Sequence, residues 1–203
     1  MSEVRMPIQK RSIEKRNKII QKGFELMCNN GYYNTTTNDI AAYAAVSTGI
    51  IYQYFNDKKD IFIEGVKNYS NGIMFPILDL LKSKQIKLDN IDEIVEDMVA
   101  VFIKTHTLSK KAHEEMVALS HLDEDIAIIF HDKELETTNK IVDVLKENNF
   151  DIDNMAEKVH IVVGIVENYC HEVVYHKHSM INYDIMKHEV IQLIKFTLSN
   201  KLK

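Results

Sequence analysis

The sequence predicts an all-α protein in which a small N-terminal helix-turn-helix domain precedes a larger helical domain. Only two Pro and six Gly occur among the 203 residues, which leaves few positions for the tight turns of a β-sheet. Apolar residues instead recur at helical spacing along most of the chain. Residues 35–62 also contain two short helical patterns separated by a three-residue break, an arrangement typical of a helix-turn-helix.

The three-residue break lies between two short helices whose starts carry capping residues. Thr36 precedes the first helix and Asp39 follows three residues later, as in a capping box. Ala45-Val46-Ser47 forms the break, and Ser47 is a suitable N-cap for the next helix. That helix is predicted over Thr48–Phe55, with two apolar residues turned inward and its other side chains available to a partner.

The outward face of the helix Thr48–Phe55 carries residues that suit contact with duplex DNA. Gln53 can form two hydrogen bonds with adenine, and Thr48 can offer a hydroxyl or a methyl group to a base edge. Gly49 has no side chain to hold a phosphate away from the backbone. Tyr54 suits either a phosphate contact or packing against the preceding helix. The predicted DNA-binding set is completed by Thr36, Thr37, Ser47, Ile50, Tyr52, Tyr54 and Lys58.

At these positions the chain resembles the DNA-binding domain of the TetR family of bacterial transcriptional regulators. Two positions depart from the family pattern. Ala45 stands where the family usually has Gly, which strains the turn by about 1 kcal/mol if φ is positive there. Lys59 stands where the family usually has Glu, which adds positive charge beside the predicted phosphate contact. The resemblance covers about residues 10–65 and is carried by Gly31, Tyr32, Thr35, Thr36, Ile40, Ala41, Ala44, Val46, Ser47, Gly49, Tyr52, Tyr54, Phe55 and Lys58.

Charge is divided unevenly along the chain. The formal net charge is −5, from 25 Lys and Arg against 30 Asp and Glu. Residues 1–60 hold nine basic and six acidic residues, a balance of +3, so the remaining residues carry −8. A DNA reader joined to an acidic body shows this split. The helix Thr48–Phe55 has no Lys or Arg, so flanking residues must supply the positive charge.

We expect residues 1–57 to form the DNA-binding domain and residues 58–203 a helical domain for effector binding and dimerisation. The last two helices carry broad apolar faces, which could pair with a second copy or belong to the core of one chain. The resemblance and the two-fold symmetry of operator DNA favour a homodimer through these helices. Helical patterns cover Lys58–Lys84, Ile91–Leu108, Lys110–Leu122, Glu124–Asn148, Asp153–Lys177 and Tyr183–Lys201. The apolar faces comprise Met155, Val159, Val162, Val163, Val166, Val173 and Val174 on one helix and Ile185, Val190, Ile191, Ile194 and Leu198 on the other.

The resemblance also implies a small-molecule effector held inside the second domain. Glu167 and His171 are four residues apart on one predicted helix, so they could point into one cavity. An exposed or internally satisfied pair is the alternative, and the apolar candidates could equally be plain core. The residues predicted to line the site are Phe102, His106, Met116, Phe130, Glu167, Asn168 and His171.

No catalytic or metal-binding pattern is evident, and we expect neither an enzyme nor a cofactor. His171-Glu172 followed by His176 misses the zinc-protease pattern, because the second His comes at i+5, about 140° around the helix. The two cysteines lie on helical patterns as reduced packing thiols. No apolar run reaches the length of a bilayer span, so a cytoplasmic protein without membrane contact is expected.

Together with the resemblance, these features predict a homodimeric, ligand-responsive DNA-binding transcriptional regulator. We expect a repressor that binds a palindromic operator and is released when the small-molecule effector binds. The alternative is a helical small-molecule- or metal-sensing protein with weak or lost DNA binding, since nine histidines are scattered along the chain.

Overall fold

The computed structural model of the chain describes residues 9–106 and 108–199. Within these ranges the chain forms nine α-helices and one short 3-10 turn, Leu88–Asn90, and no strand. The predicted all-α fold class is therefore confirmed. The helices are α1 (Lys10–Asn30), α2 (Thr37–Tyr43), α3 (Thr48–Tyr54), α4 (Lys58–Ser83), α5 (Ile91–Thr105), α6 (Lys110–Leu122), α7 (Glu124–Glu147), α8 (Met155–Tyr175) and α9 (Tyr183–Ser199).

The helix limits agree with the sequence pattern to within three residues wherever both ends are described. The largest difference is at the end of α5, which stops at Thr105 rather than Leu108. The Thr105 hydroxyl donates to the carbonyl oxygens of Val101 and Phe102, at 3.0 Å from each. The Thr105 side chain therefore folds back onto the last turn of α5. The predicted end of the last helix, Lys201, lies outside the described residues.

The chain divides into two compact units. The described part of the first comprises residues 9–70 and 108–130, and that of the second comprises residues 71–106 and 131–199. Helices α4 and α7 therefore contribute to both units, and α6 belongs wholly to the first. The division into a DNA-binding domain over residues 1–57 and an effector domain over residues 58–203 stays a prediction, because it concerns function rather than packing.

The first unit is built on close packing of α1 against α2 and α4. A Cβ atom added to Gly23 of α1 would stand 2.7 Å from a methyl of Ile61 and 3.1 Å from a methyl of Ile40. A Cβ atom on Gly65 of α4 would stand 2.5 Å from the ring and Cβ of Phe24. These two glycines let the helices approach because they carry no side chain. The fully buried side chains around them include Ile19, Ile20, Met27, Ile40, Ile51, Phe55, Ile61 and Phe62.

The turn between α2 and α3 places Ala45 in the left-handed region, with φ of 53°. The Val46 amide donates to the Ala41 carbonyl oxygen at 2.9 Å, and the Ala45 amide donates to the Ala42 carbonyl oxygen at 3.1 Å. These bonds close the end of α2 and set the direction of the chain into α3. The left-handed conformation costs an alanine about 1–2 kcal/mol, so the strain expected for a positive φ is present.

The second unit has its own core, to which α5, α8 and α9 contribute most. Most residues that the sequence suggested for a dimer face are in fact buried here within one chain, including Val159, Val163, Val166, Val190, Ile191, Ile194 and Leu198. They pack with α5 residues such as Ile94, Val95, Val99 and Phe102. Of the suggested residues, Ile185 is exposed. The most apolar faces of α8 and α9 are therefore packed inside the second unit.

We predict that Ala45→Gly raises the free energy of unfolding by about 0.5–1 kcal/mol, because glycine adopts positive φ without the Cβ clash. Urea denaturation followed by circular dichroism measures the change. The matched control is Ala42→Gly, an exposed position inside α2, which should lower the free energy of unfolding by about 1 kcal/mol. Equal destabilisation by both substitutions would contradict the strain at Ala45.

Candidate DNA-binding and effector sites

A reciprocal capping box starts α2. The Thr36 hydroxyl accepts from the Asp39 amide at 3.2 Å, and the Asp39 carboxylate accepts from the Thr36 amide at 2.8 Å and the Thr36 hydroxyl at 2.6 Å. The hydrogen bonds with Thr36 lower the pKa of Asp39 below its ordinary value. The predicted capping box is confirmed. It occupies the Thr36 hydroxyl, while Thr37 is the half-buried first residue of α2.

The start of α3 is held by Thr48 rather than by Ser47. Ser47 occupies the predicted N-cap position, but its hydroxyl accepts no capping hydrogen bond and is exposed. The Thr48 hydroxyl instead donates to the side-chain oxygen of Asn38 on α2 at 2.9 Å. This bond ties the two helices together across the turn. It engages the hydroxyl that the sequence suggested for a base contact, which leaves the Thr48 methyl for that purpose.

The outward face of α3 is formed by Gly49, Tyr52 and Gln53. All three residues are exposed, and half of the Tyr52 surface is accessible. A Cβ atom on Gly49 would meet no other atom within 4 Å, so packing within the chain does not require a glycine there. Within residues 9–106 and 108–199, the Gln53 side chain has no hydrogen-bond partner. With the exposed Ser47, these residues form one continuous open surface.

Two predicted contact residues of α3 face the core instead. Tyr54 is only 9% exposed and belongs to the core cluster of the first unit. Of the two roles predicted for Tyr54, its ring therefore has the packing role. Ile50 is partly buried and packs against the same cluster. Their inward position follows from the helical repeat that also buries Ile51.

Lys58 braces the loop between α1 and α2. Its ammonium group donates to the carbonyl oxygens of Tyr32, at 2.6 Å, and Thr35, at 2.8 Å. It also lies 4.4 Å from the centre of the Tyr32 ring, within range of a cation–π contact. Burial lowers the pKa of Lys58 from its ordinary value. Because an ammonium has three N–H donors, at most one remains for the predicted phosphate contact.

Lys59 forms ion pairs within the first unit rather than adding free positive charge. Its ammonium nitrogen lies 2.8 Å from a carboxylate oxygen of Asp123 and 2.5 Å from one of Asp125. Hydrogen bonds to these two carboxylates raise the pKa of Lys59. The expectation of added charge beside the phosphate contact is therefore wrong, because two aspartates at the α6–α7 junction balance it.

Contacts from distant parts of the chain complete the support of the helix-turn-helix. The Glu115 carboxylate of α6 accepts from the Tyr32 amide at 2.7 Å, and Lys111 donates to the Asn29 carbonyl oxygen at 2.7 Å. Arg16 of α1 pairs with Glu64 of α4 at 3.1 Å, and its guanidinium lies 5.1 Å from the Phe55 ring centre. No local sequence pattern predicts these contacts, because most partners lie 48 or more residues apart.

Positive charge beside the helix-turn-helix comes from the first half of α1. Lys10, Arg11, Lys15 and Lys18 are all exposed, and none of them forms an ion pair with another residue in the described part of the chain. These groups suit long-range attraction to phosphates, whereas the exposed surface of α3 is uncharged.

Four of the seven predicted effector residues gather at one place in the second unit. The Phe102 ring stacks on His106, with 3.9 Å between ring centres, and meets His171 edge-on at 5.5 Å. Burial lowers the pKa of His106, whose Nδ1 lies 2.7 Å from the Phe102 carbonyl oxygen. Glu167 and Phe102 both line one apolar cavity of about 80 Å³ in this unit.

The other three predicted effector residues lie elsewhere. Met116 is buried in the core of the first unit, and Phe130 packs against that core. Asn168 is exposed and lines a groove between α8 and α9. Met116 and Phe130 are absent from the cavity because α6 and the start of α7 pack with α1–α4.

Two absences among the described residues concern metal binding and membrane insertion. No three His, Cys, Asp or Glu side chains in these ranges are grouped so that they could hold a metal ion. Of the helices in the described ranges, none has the length and apolar character needed to cross a membrane.

The braced turn and the exposed, uncharged face of α3 define a helix-turn-helix protein. Residues 19–64 match the family model described as bacterial regulatory proteins, tetR family. The match confirms, over this segment of the chain, the resemblance to the TetR family noted in the sequence.

Two curated relatives match parts of the chain. The HTH-type transcriptional regulator HbdR of Aromatoleum sp. (strain CIB) is 51% identical over 55 residues, which cover 27% of this chain and 24% of that protein. The fatty acid metabolism regulator protein of Bacillus subtilis (strain 168) is 26% identical over 91 residues, which cover 45% of this chain and 47% of that protein. The chain thus spans about a quarter and about half of the lengths of these relatives.

Solved structures share the fold over nearly the whole chain. One named as a TetR-family transcriptional regulator from Mesorhizobium loti MAFF303099 superposes with a TM-score of 0.71 at 17% identity, covering 94% of this chain and 98% of that one. Another from Syntrophomonas wolfei has a TM-score of 0.68 at 23% identity, covering 94% and 97%. A transcriptional regulator from Saccharomonospora viridis in complex with choline has a TM-score of 0.65 at 18% identity, covering 90% and 96%.

We predict that Lys58→Met lowers the free energy of unfolding by about 1–3 kcal/mol in the absence of DNA, because it removes two hydrogen bonds from a charged donor. Urea denaturation of the free protein checks this. Lys18→Met, at an exposed position of α1, is the matched control and should change stability by less than about 0.5 kcal/mol. If both variants matched the wild type, the bracing role of Lys58 would be refuted.

Proposed function

We propose that the protein is a dimeric transcriptional repressor that reads a palindromic operator with α3 and is released by a small-molecule effector. The observation that carries this proposal is the open face formed by Ser47, Gly49, Tyr52 and Gln53 on a helix whose opposite side is buried. A short helix that is anchored on one side and exposed on the other is suited to entering the major groove.

The side chains of this face divide into base-reading and positioning groups. Gln53 is the residue best suited to reading a base, since its amide can pair with adenine at two atoms. Tyr52 and Ser47 offer hydroxyl groups to phosphates, and Gly49 permits close approach of the backbone. The exposed basic residues of α1 add attraction that does not depend on base sequence.

Dimerisation through α8 and α9 is supported by the apolar residues that these helices leave exposed. Ile161, Ile185, Leu193 and Phe196 are each at least half exposed. Gly164 lies beside Ile161 and Leu193 in a groove between the two helices, and a Cβ atom there would meet nothing within 4 Å. Since a glycine leaves the helix surface without a side chain, it permits the close approach of a second chain at this groove.

Effector binding is supported by the cavity of the second unit and its cluster of aromatic and titratable side chains. The cavity is lined almost wholly by apolar groups, with Phe102 and Glu167 on its wall. A structural neighbour from Saccharomonospora viridis was solved with choline, which agrees with a small-molecule ligand for this fold. The cavity is therefore the proposed effector site.

The proposed route of release follows the chain from α5 into α6. Helix α5 ends at Thr105, and α6 begins at Lys110 only five residues later. Helix α6 holds the loop before α2 through the Glu115–Tyr32 hydrogen bond and the end of α1 through the Lys111–Asn29 hydrogen bond. An effector that displaces the end of α5 would shift α6 and, through these bonds, the loop that carries α2. Release then requires only that the effector favour the shifted state.

We predict that Gly49→Ala stabilises the fold by about 1 kcal/mol yet weakens binding to duplexes that the wild type recognises by tenfold or more. The methyl group improves helix propensity but occupies the space proposed for the DNA backbone. Urea denaturation and fluorescence anisotropy measure the two effects.

Gly72→Ala in α4 is the matched control, because a Cβ atom there also meets nothing within 4 Å. It should give a similar gain in stability and leave DNA affinity unchanged. Wild-type affinity in the Gly49 variant would count against α3 as the DNA-reading helix.

A further inference from the structure

The start of α2 carries an exposed amide side chain beside the first residue of α3. Asn38 is the second residue of α2 and is exposed, whereas Thr48 begins α3 and is half-buried. The Thr48 hydroxyl donates to the Asn38 side-chain oxygen at 2.9 Å. Because Thr48 directly precedes Gly49 of the open α3 face, this hydrogen bond places the Asn38 amide at the edge of that face.

The hydrogen bond with Thr48 leaves the Asn38 nitrogen as the free group of the amide. An asparagine side chain has one oxygen that accepts and one nitrogen with two N–H donors. The Asn38 oxygen is directed at Thr48, while its nitrogen donates to no residue of 9–106 or 108–199. A bidentate pair with adenine needs the oxygen and the nitrogen together. Asn38 is therefore suited to a partner that only accepts, such as a phosphate oxygen.

The charged groups next to Asn38 already have partners in the loop before α2. The Asp39 carboxylate accepts from the Thr36 amide at 2.8 Å and from the Thr36 hydroxyl at 2.6 Å, so it is directed back to the start of the helix. Lys58 donates to the Thr35 carbonyl oxygen at 2.8 Å and brings a positive charge to the same loop. The Asn38 nitrogen therefore stays available to a group from outside the chain.

Both the backbone and the side chain of Asn38 are held before any partner binds. The capping box fixes the first turn of α2, and Thr48 fixes the amide. A group that is already ordered loses little conformational freedom when it binds. In helix-turn-helix proteins the first helix crosses the DNA backbone, and asparagine is among the side chains that contact phosphates.

We propose that Asn38 donates to a phosphate oxygen of the bound DNA, and that Thr48 is a positioning residue that fixes the Asn38 amide for this contact. The inference rests on the proposed function and adds α2 to the helices that contact DNA. It gives the Thr48 hydroxyl a role that acts through Asn38. A phosphate contact of this kind sets the register of α3 in the groove without reading base sequence.

Fluorescence anisotropy with two duplexes of equal length tests the phosphate contact. One duplex is enriched from a random pool by the wild-type protein, and the other is unselected. Asn38→Ala should weaken binding to both duplexes about tenfold, because a hydrogen bond to a charged acceptor is lost. Asn38→Asp should weaken binding at least as much, since its carboxylate still accepts from Thr48 but repels a phosphate.

The controls separate this loss from changes in net charge and in folding. Asn68→Ala and Asn68→Asp, at an exposed position of α4, should bind both duplexes within about twofold of the wild type at physiological salt. An aspartate in the first turn of α2 is favourable to the helix dipole, so Asn38→Asp should unfold in urea no earlier than the wild type.

Substitutions of Thr48 test its positioning role. Thr48→Val keeps the branched shape but removes the hydroxyl, and should weaken binding to both duplexes. Thr48→Ser keeps the hydroxyl and should recover most of that loss. In the Asn38→Ala background Thr48→Val should have no further effect, because it acts through Asn38. A purely structural role of Thr48 would not produce this coupling.

Replacement of single phosphates by neutral methylphosphonates in the enriched duplex locates the contact. At one position in each half-site the wild type should lose affinity while Asn38→Ala does not. If every replacement weakened the wild type and Asn38→Ala equally, Asn38 would have no phosphate partner.

Other outcomes would overturn the inference in distinguishable ways. Wild-type affinity of Asn38→Ala for both duplexes would exclude the phosphate contact, and a loss confined to the enriched duplex would assign Asn38 to a base edge instead. Full affinity of Thr48→Val would refute the positioning role alone. The proposed function fails separately if the wild type binds no duplex more tightly than unselected DNA, on which the Asn38 variants can still be compared. Absence of binding to any duplex would refute both.

Discussion

Helix α3 is held in place by the packing of its inner side, and the rest of the candidate DNA-binding site depends on that packing. Helix α3 has seven residues, and isolated helices of this length are not stable in water. Ile51 and Tyr54 are buried, and Phe55 at the helix end is 2% exposed. Arg16 covers the Phe55 ring from α1. The outward residues can therefore be chosen for a partner, since they contribute little to holding the helix in place.

A second set of contacts fixes the loop that precedes α2. Lys58 binds two carbonyl oxygens of this loop, and Glu115 binds its Tyr32 amide. One contact comes from the start of α4 and the other from α6, so the loop is held from both sides of the helix-turn-helix. In the proposed mechanism these polar contacts serve both stability and control, because α6 follows α5 of the second unit along the chain.

Local patterns in the sequence predicted most of the fold. Helical periodicity and capping residues act over a few positions, which is why the capping box of Thr36 and the outward placement of Gly49 and Gln53 could be read directly. Ala45 stands where the family usually has Gly, so strain is expected there if φ is positive, and the observed φ is 53°. These features depend on neighbours in sequence rather than on the rest of the molecule.

Features that depend on distant residues could not be predicted in the same way. Lys59 was expected to add charge, but Asp123 and Asp125 reach it from more than 60 residues away. Met116 was assigned to the effector site but is in the core of the first unit, because α6 packs there. Periodicity identifies which residues of a helix face inward, but it does not identify which of two cores they join.

In the proposed function, α3 reads DNA sequence as one of two symmetric copies. Selection of bound duplexes from a random pool by the full-length protein at physiological salt tests it most directly. We expect enrichment of a palindrome whose two half-sites each contain an adenine suited to Gln53, with half-site centres separated by about one helical turn or a multiple of it. Absence of any enriched sequence, with binding no tighter than to unselected DNA, would contradict it.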